Sequence, residues 1–246
     1  MMNPVRIARA TTLYPDTPVS RQPRILVAVW ASAAVLALTA CGGGERATRG
    51  DSCSGRLTVA GDPALAAALP FNIYAPGPAD DLNAQEAELY EALMRHRETL
   101  GLPRVPLSRG LTLVAGRHAM DTSVNILGKG GQAPGSNSHS WSDAPYPADH
   151  SRPEVMWEAP RRLNSGYCAT AYEISADGFP EMSQVVDGWL ASSGHAPVIE
   201  NTGPWRGKDW KAVGVGVAPA TTSGPPVYHV WFAETPDPGG APDFRP

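Results

Sequence analysis

Four histidines, His118, His139, His150 and His195, stand far apart in this 246-residue chain but can converge in a fold. Imidazole titrates near neutral pH, takes up or releases protons, and ligates metals through either ring nitrogen. None of the four shows local zinc spacing, and the chain has no His-Glu-x-x-His helix, so a metal site has to be assembled from distant segments. Ser138, Ser140, Ser192 and Ser193 flank histidines, yet the Gly-x-Ser-x-Gly elbow of a serine hydrolase is absent. One carboxylate, Glu173, projects from a short apolar strand. Such a group either serves the chemistry of a site or binds loop amides or a histidine as a structural acceptor. The polar stretch "SNSHSWSD", residues 136–143, carries His139 beside Trp141 and has neither a helical nor a strand period.

The elements that position these residues follow from periodicity. Asn83 and Glu86 have capping-box spacing ahead of a helix in which Leu89, Leu93 and Leu100 share a face, with Gly101 as its stop. His96 lies off that face and reads as solvated. Ser108 caps a second helix whose inward stripe is Leu111, Val114, Ala115, His118, Ala119 and Thr122. His118 therefore points inward, as a hydrogen-bonded core residue or as a site residue. Residues 128–165 form a long loop whose aromatic residues Trp141, Tyr146 and Trp157 need something to pack on. "CATAYEIS" predicts a strand with Tyr172 and Ile174 on one face and Glu173 on the other. "EMSQVVDGWLASS" predicts a third helix. "WKAVGVGVA" and "VYHVWFAE" predict two strands; in the second, Tyr228, Val230 and Phe232 alternate with His229 and Trp231. Gly214 and Gly216 mark the close approach of another element. Helices and an antiparallel sheet together predict an α+β domain.

The ends read differently. Arg6, Arg9, Arg21 and Arg24 precede the apolar run Ile25–Ala40, whose roughly 16 residues suit a signal segment better than a spanning helix. "LTAC" follows, which resembles a bacterial lipobox with Cys41 as the lipidated mature N-terminus. Removal of residues 1–40 takes four arginines and one aspartate from 20 basic and 24 acidic residues, moving the net charge from −4 to about −7. An acidic domain repels phosphate backbones, so no nucleic-acid partner is expected. Of three cysteines, Cys53 and Cys168 are left to form a disulfide in an oxidising compartment, or to remain two thiols. The expected organisation is a signal peptide at 1–40, a lipid-anchored tether and irregular lead-in at 41–82, the folded domain at 83–234 and a disordered tail at 235–246.

"SRGLTLVAGRHAMD", "SHSWSD", "AYEI", "WLASSGHAPVIEN", "WKAVGVGVA" and "YHVWFAE" resemble, in order, the motifs of the CAP superfamily (the SCP-like domain of cysteine-rich secretory, antigen 5 and pathogenesis-related proteins). The resemblance covers about residues 83–234. It implies an α-β-α sandwich with a central antiparallel sheet flanked by helices, and a cleft with two histidines and two glutamates that binds a divalent metal in some members. The family histidines fall on His139 and His195 and the first glutamate on Glu173. The second glutamate falls on Ser192, and the Gly-Glu-Asn motif has become Tyr172-Glu173-Ile174. His118 matches a helix histidine that points at the same cleft in bacterial members.

Two uses of such a cleft are expected. One is binding of an envelope glycan, peptide or lipid on a floor of His118, His139, Glu173, Ser192 and His195, with Trp141 and Trp157 as an apolar wall. The other is a zinc-assisted hydrolase, with metal on His139, His195 and Glu173, and Glu173 as base. A structural envelope role without catalysis is the third. The expected location is the bacterial cell envelope outside the cytoplasm, anchored through Cys41. Gly42 after that cysteine lacks an Asp retention signal, which points to the outer membrane.

Overall fold

The computed structural model describes residue 53 and residues 56–219 and 226–246. The signal segment, Cys41 and most of the tether lie outside the described residues. The first elements are helix α1 (Pro63–Ala67), a 3-10 turn at Pro78–Asp80, strand β1 (Leu82–Asn83), and helices α2 (Ala84–Thr99) and α3 (Arg109–Met120). Helices α4 (Glu154–Trp157) and α5 (Ala159–Arg162) follow the long loop. Then come strand β2 (Tyr172–Asp177), helices α6 (Met182–Leu190) and α7 (Ala196–Glu200), and strands β3 (Ala212–Ala218), β4 (Val227–Ala233) and β5 (Phe244–Arg245). No helix among the described residues is long and apolar enough to cross a membrane.

The sheet runs β2-β4-β3, antiparallel throughout. Its period of two sorts the side chains into two cores. Ile174, Val213, Val215, Tyr228, Val230 and Phe232 face α2, α6 and α7, where they meet Leu89, Leu93, Val185, Trp189 and Ile199. Glu173, His229, Trp231, Gly214 and Gly216 face the side where α3 and the long loop pack. This is an α-β-α sandwich. Each buried Leu, Val, Ile or Phe contributes about 1.5–3 kcal/mol of transfer free energy, so the two cores together set the layer order.

Local signals place the helices. The Asn83 side chain accepts from Glu86 N at 3.0 Å and Glu86 Oε2 accepts from Asn83 N at 2.8 Å, a reciprocal capping box. Gly101 takes φ +71° just past the end of α2. Leu100 does not join the buried stripe; it is the C-cap and half exposed. His96 pairs with Glu200 Oε1 at 3.0 Å and is not merely solvated. Ser108 Oγ accepts from Leu111 N at 3.0 Å at the start of α3. Beyond Met120 the backbone widens to a π-helix at Asp121–Ile126. A Cβ at Gly214 or Gly216 would lie 2.0–2.1 Å from backbone atoms of Leu111 or Ala115. The close approach expected at these glycines is therefore that of α3.

Two expectations need correction. The lead-in is part of the body: Val59, Ala66 and Ile73 are buried in the α3-side core, and Glu158 Oε2 accepts from Thr58 N at 2.7 Å. The tail is also part of it. Segment β5 pairs in parallel with β1, Asp237 Oδ2 accepts from Gly110 N at 2.8 Å, and Arg109 forks onto Asp243 at 2.7 and 3.2 Å. These are contacts between segments far apart in the sequence, which composition alone does not reveal.

Cys53 and Cys168 are joined in a disulfide across a sequence separation of 115. Loops of this length lose enough chain entropy for a typical contribution of about 2–4 kcal/mol. Reduction, or Cys168→Ser, is therefore expected to lower the thermal midpoint by about 4–16 °C, read by calorimetry with and without reductant. An unchanged midpoint would show that the covalent link adds nothing to the noncovalent clamp on the lead-in.

Candidate functional site

The site is built on Glu173 in the middle of the sandwich. Its side chain has no solvent exposure, and three imidazoles bind it. His118 Nδ1 lies 2.5 Å from Oε1, His229 Nδ1 reaches the same oxygen, and His139 Nδ1 lies 2.7 Å from Oε2. His118 comes from the inward stripe of α3. His229 comes from β4, two residues before the Trp231 that pairs with Glu173. His139 comes from the long loop.

Hydrogen-bond accounting fixes where the protons sit. The other nitrogen of His118, Nε2, faces the Ser140 carbonyl at 3.0 Å and must donate. Burial works against ionisation of Glu173, but the charge of His118 and the N–H bonds from His118 and His139 outweigh it. They hold the carboxyl well below the usual range. An ionised carboxylate only accepts, so His118 donates from both nitrogens and is the imidazolium of a buried ion pair. Trp141 supports that charge, stacked on His118 with ring centroids 3.9 Å apart and planes 7° apart. His229 is different. Burial first, and then the charge of His118, push it down to about 4, so it is neutral. Its Nδ1–H donates to Glu173 while Nε2 takes the Thr122 hydroxyl at 3.2 Å.

His139 is the member of this network that reaches the surface, with 15% side-chain exposure against none for His118 and His229. Its Nδ1–H is committed to Glu173, and its Nε2 has no hydrogen-bond partner among the described residues. His195 lies close enough for their charges to interact. Burial, then the charge of His139, push His195 down to about 4. Its Nδ1 sits 2.8 Å from Ser192 Oγ, an oxygen that also accepts from Gly194 N at 3.3 Å. The Nε2 atoms of His139 and His195 are the ring nitrogens that these bonds leave open. His150 stands alongside, its ring 6.2 Å from that of His139 and its Nδ1 3.1 Å from the Tyr146 hydroxyl. It holds φ +59°, and burial first, then the charge of His139, lower it, against Asp149.

These shifts carry a pH prediction. A histidine whose folded value falls from 6.5 to about 4 stabilises the fold fully above 6.5 and loses that contribution as pH falls toward 4. His195 and His229 each carry on the order of 3 kcal/mol this way. Glu86, buried and pushed up to about 7, works in the opposite sense as pH falls from 7 to its unfolded value, so the net loss is smaller than the sum. Ring proton resonances read the two histidines directly. Both are expected to titrate near pH 4; midpoints near 6.5 would contradict the proton placement.

His118, Glu173 and His229 bring ligand atoms within 4.8 Å of one another. They do not fit a metal. Zinc bound at about 2.0–2.1 Å to nitrogen in a tetrahedron holds its ligand atoms about 3.3 Å apart, whereas these nitrogens touch the carboxylate at hydrogen-bond distance and all three side chains are sealed. The set expected for a metal, His139, His195 and Glu173, is brought to one region, but both Glu173 oxygens are already occupied by ring nitrogens. Trp141 is 1% exposed, and so is a core residue and not a cleft wall. Trp157 is half-buried, edge-on to Tyr172. His229 and Thr122 were missed as site residues. The alternation in "VYHVWFAE" puts His229 on the Trp231 face, and pairing that strand beside "AYEI" would have brought it to Glu173.

No protein-family model and no curated protein matches the chain. Among solved structures it is similar to an outer surface protein from Borrelia burgdorferi, at 18% identity and TM-score 0.41, over 65% of this chain and 95% of that one. It is also similar to a cysteine-rich secretory protein from Staphylococcus aureus, at 15% identity and TM-score 0.39, over 61% of this chain and 38% of that one.

Proposed function

We propose that this chain is an exported, lipid-anchored CAP-like binding module, and that its ligand face is the pair His139 and His195. The observation that carries this reading is the buried Glu173, whose charge holds His118 and orients His139 and is not free for a reaction. Two open ring nitrogens, His139 Nε2 and His195 Nε2, suit a hydroxyl or amide, which can both donate and accept. The ligand proposed is therefore a neutral glycan of the cell envelope. The Cys53–Cys168 disulfide supports a location outside the cytoplasm.

Cosedimentation of the full-length protein with purified peptidoglycan tests the reading. Binding is expected to fall about tenfold in His139→Ala and in His195→Ala, the loss of about 1.4 kcal/mol per hydrogen bond. Undiminished binding in both variants, or no binding by the parent protein, would overturn it. Anchoring is tested separately: Cys41→Ser is expected to abolish detergent-phase partitioning, and a Cys41→Ser protein that stays in the membrane would contradict lipidation.

One observation favours the metal reading as second. Both His139 and His195 have Nδ1 tied to an oxygen and Nε2 left open, as metal-bound histidines commonly do. Zinc near one per chain, lost in both alanine variants, would support that reading.

A further inference from the structure

Beside the residue 136–147 loop lies a cavity of about 210 Å³ whose lining includes none of the histidines. Its walls come from the π-helix (Asn125, Ile126), from the turn after it (Lys129, Gln132) and from the loop itself (Trp141, Pro145). Widened helical turns of this kind occur frequently at functional sites, because they displace side chains from the regular helical register.

Three features point to a ligand. Trp141 is 1% exposed, and its indole Nε1–H has no acceptor among the described residues. The Gln132 side-chain oxygen is buried without a donor among the described residues. A buried polar atom left unpaired keeps its full desolvation penalty, so an occupant that pairs both atoms is favoured by removing it. Lys129 is the ionic side chain of the lining, is exposed at its edge, and makes no ion pair among the described residues. The remaining wall is neutral. Asp121 lies behind Asn125 and Ser142, which cover its two oxygens with hydrogen bonds at 2.6–2.7 Å.

The geometry points to a second binding site here, for a small carboxylic acid that also carries a hydroxyl or amino group. The carboxylate pairs with Lys129 and accepts from the Trp141 indole, the hydroxyl or amine donates to Gln132, and Ile126 and Pro145 contact the carbon skeleton. The volume holds a molecule the size of a single amino acid or hydroxy acid. This inference rests on its own lining residues and stands independently of the histidine face.

The test is a titration of the full-length chain with the standard amino acids, lactate and malate, following the Trp141 indole N–H cross-peak, identified by its loss in Trp141→Phe. At least one acid is expected to shift that peak saturably. Lys129→Gln should weaken it about tenfold, and Ala133→Phe, which fills the cavity from its exposed edge, should abolish it. No shift from any acid at about 10 mM, roughly ten times a millimolar Kd, would overturn the proposal. So would a shift that both variants leave undiminished, or one confined to the ring signals of His139 and His195.

Discussion

Gly214→Ala is expected to prevent stable folding of this protein. The added Cβ would lie 2.0 Å from the Leu111 carbonyl carbon, 2.2 Å from its oxygen and 2.4 Å from Thr112 N. Those are backbone atoms of α3, so no side chain can rotate away. Reaching ordinary contact at about 3.5 Å requires the helix to retreat by about 1.5 Å. It has nowhere to go, because a Cβ on Gly116 would already lie 2.0 Å from Ala79 O on its other side. Ordinary overpacking costs about 1–3 kcal/mol, and a clash against backbone on a helix fixed from both sides should exceed that. A loss of about 4 kcal/mol or more would remove most of a typical domain's stability. Gly207→Ala is the control, since nothing lies within 4 Å of its Cβ position. Urea unfolding of the pair decides: a Gly214→Ala protein as stable as Gly207→Ala would mean that α3 does not press on β3.

Glu173→Gln should cost about 3–5 kcal/mol, the usual loss when one partner of a buried ion pair is removed. The amide keeps the volume and loses the charge. It leaves the His118 imidazolium uncompensated in the core and turns an N–H donor toward a histidine that is itself a donor. His118 must then give up a proton and lose its bond either to the introduced amide or to the Ser140 carbonyl. The loop moves with it, because the Ser140 carbonyl and the Trp141 ring both rest on His118. The expected signature is a lower unfolding midpoint together with a changed near-ultraviolet signal from the loop tryptophan. A loss under about 1 kcal/mol would show that Glu173 is not the ionic centre of the fold. In both variants the damage reaches function through structure, since α3 carries His118 and the network it forms sets the angle of His139.

How much of this was legible in the sequence depended on the range of the interactions. The capping box at Asn83 and Glu86, the stripe on α3 and the alternation in β3 and β4 are local patterns and appear as expected. Gly214 and Gly216 announced a close neighbour because glycine on a strand face leaves room for backbone. The tail was illegible because its hold is a set of distant acceptors: Asp237 on the start of α3 and Asp243 on Arg109. Helices α4 and α5 have 4 residues each, too few to show a period. At the site, His139 and Glu173 could be suspected from residue type. The family resemblance put both at one cleft, but residue type alone did not give their contact, nor the reversal from His139 to Trp141, where His139 turns outward, Ser140 supplies a carbonyl and Trp141 turns into the core. His229 required the register between β2 and β4.

The proposed ligand face of His139 and His195 rests on Glu173 and works without metal. Ring-selective NMR of the full-length chain, titrated with soluble peptidoglycan glycan fragments in the presence of EDTA, tests it most directly. Saturable shifts of the His139 and His195 ring signals are expected, with His118 and His229 little changed. Shifts that appear only after zinc is restored, or that leave His139 and His195 untouched, would contradict it.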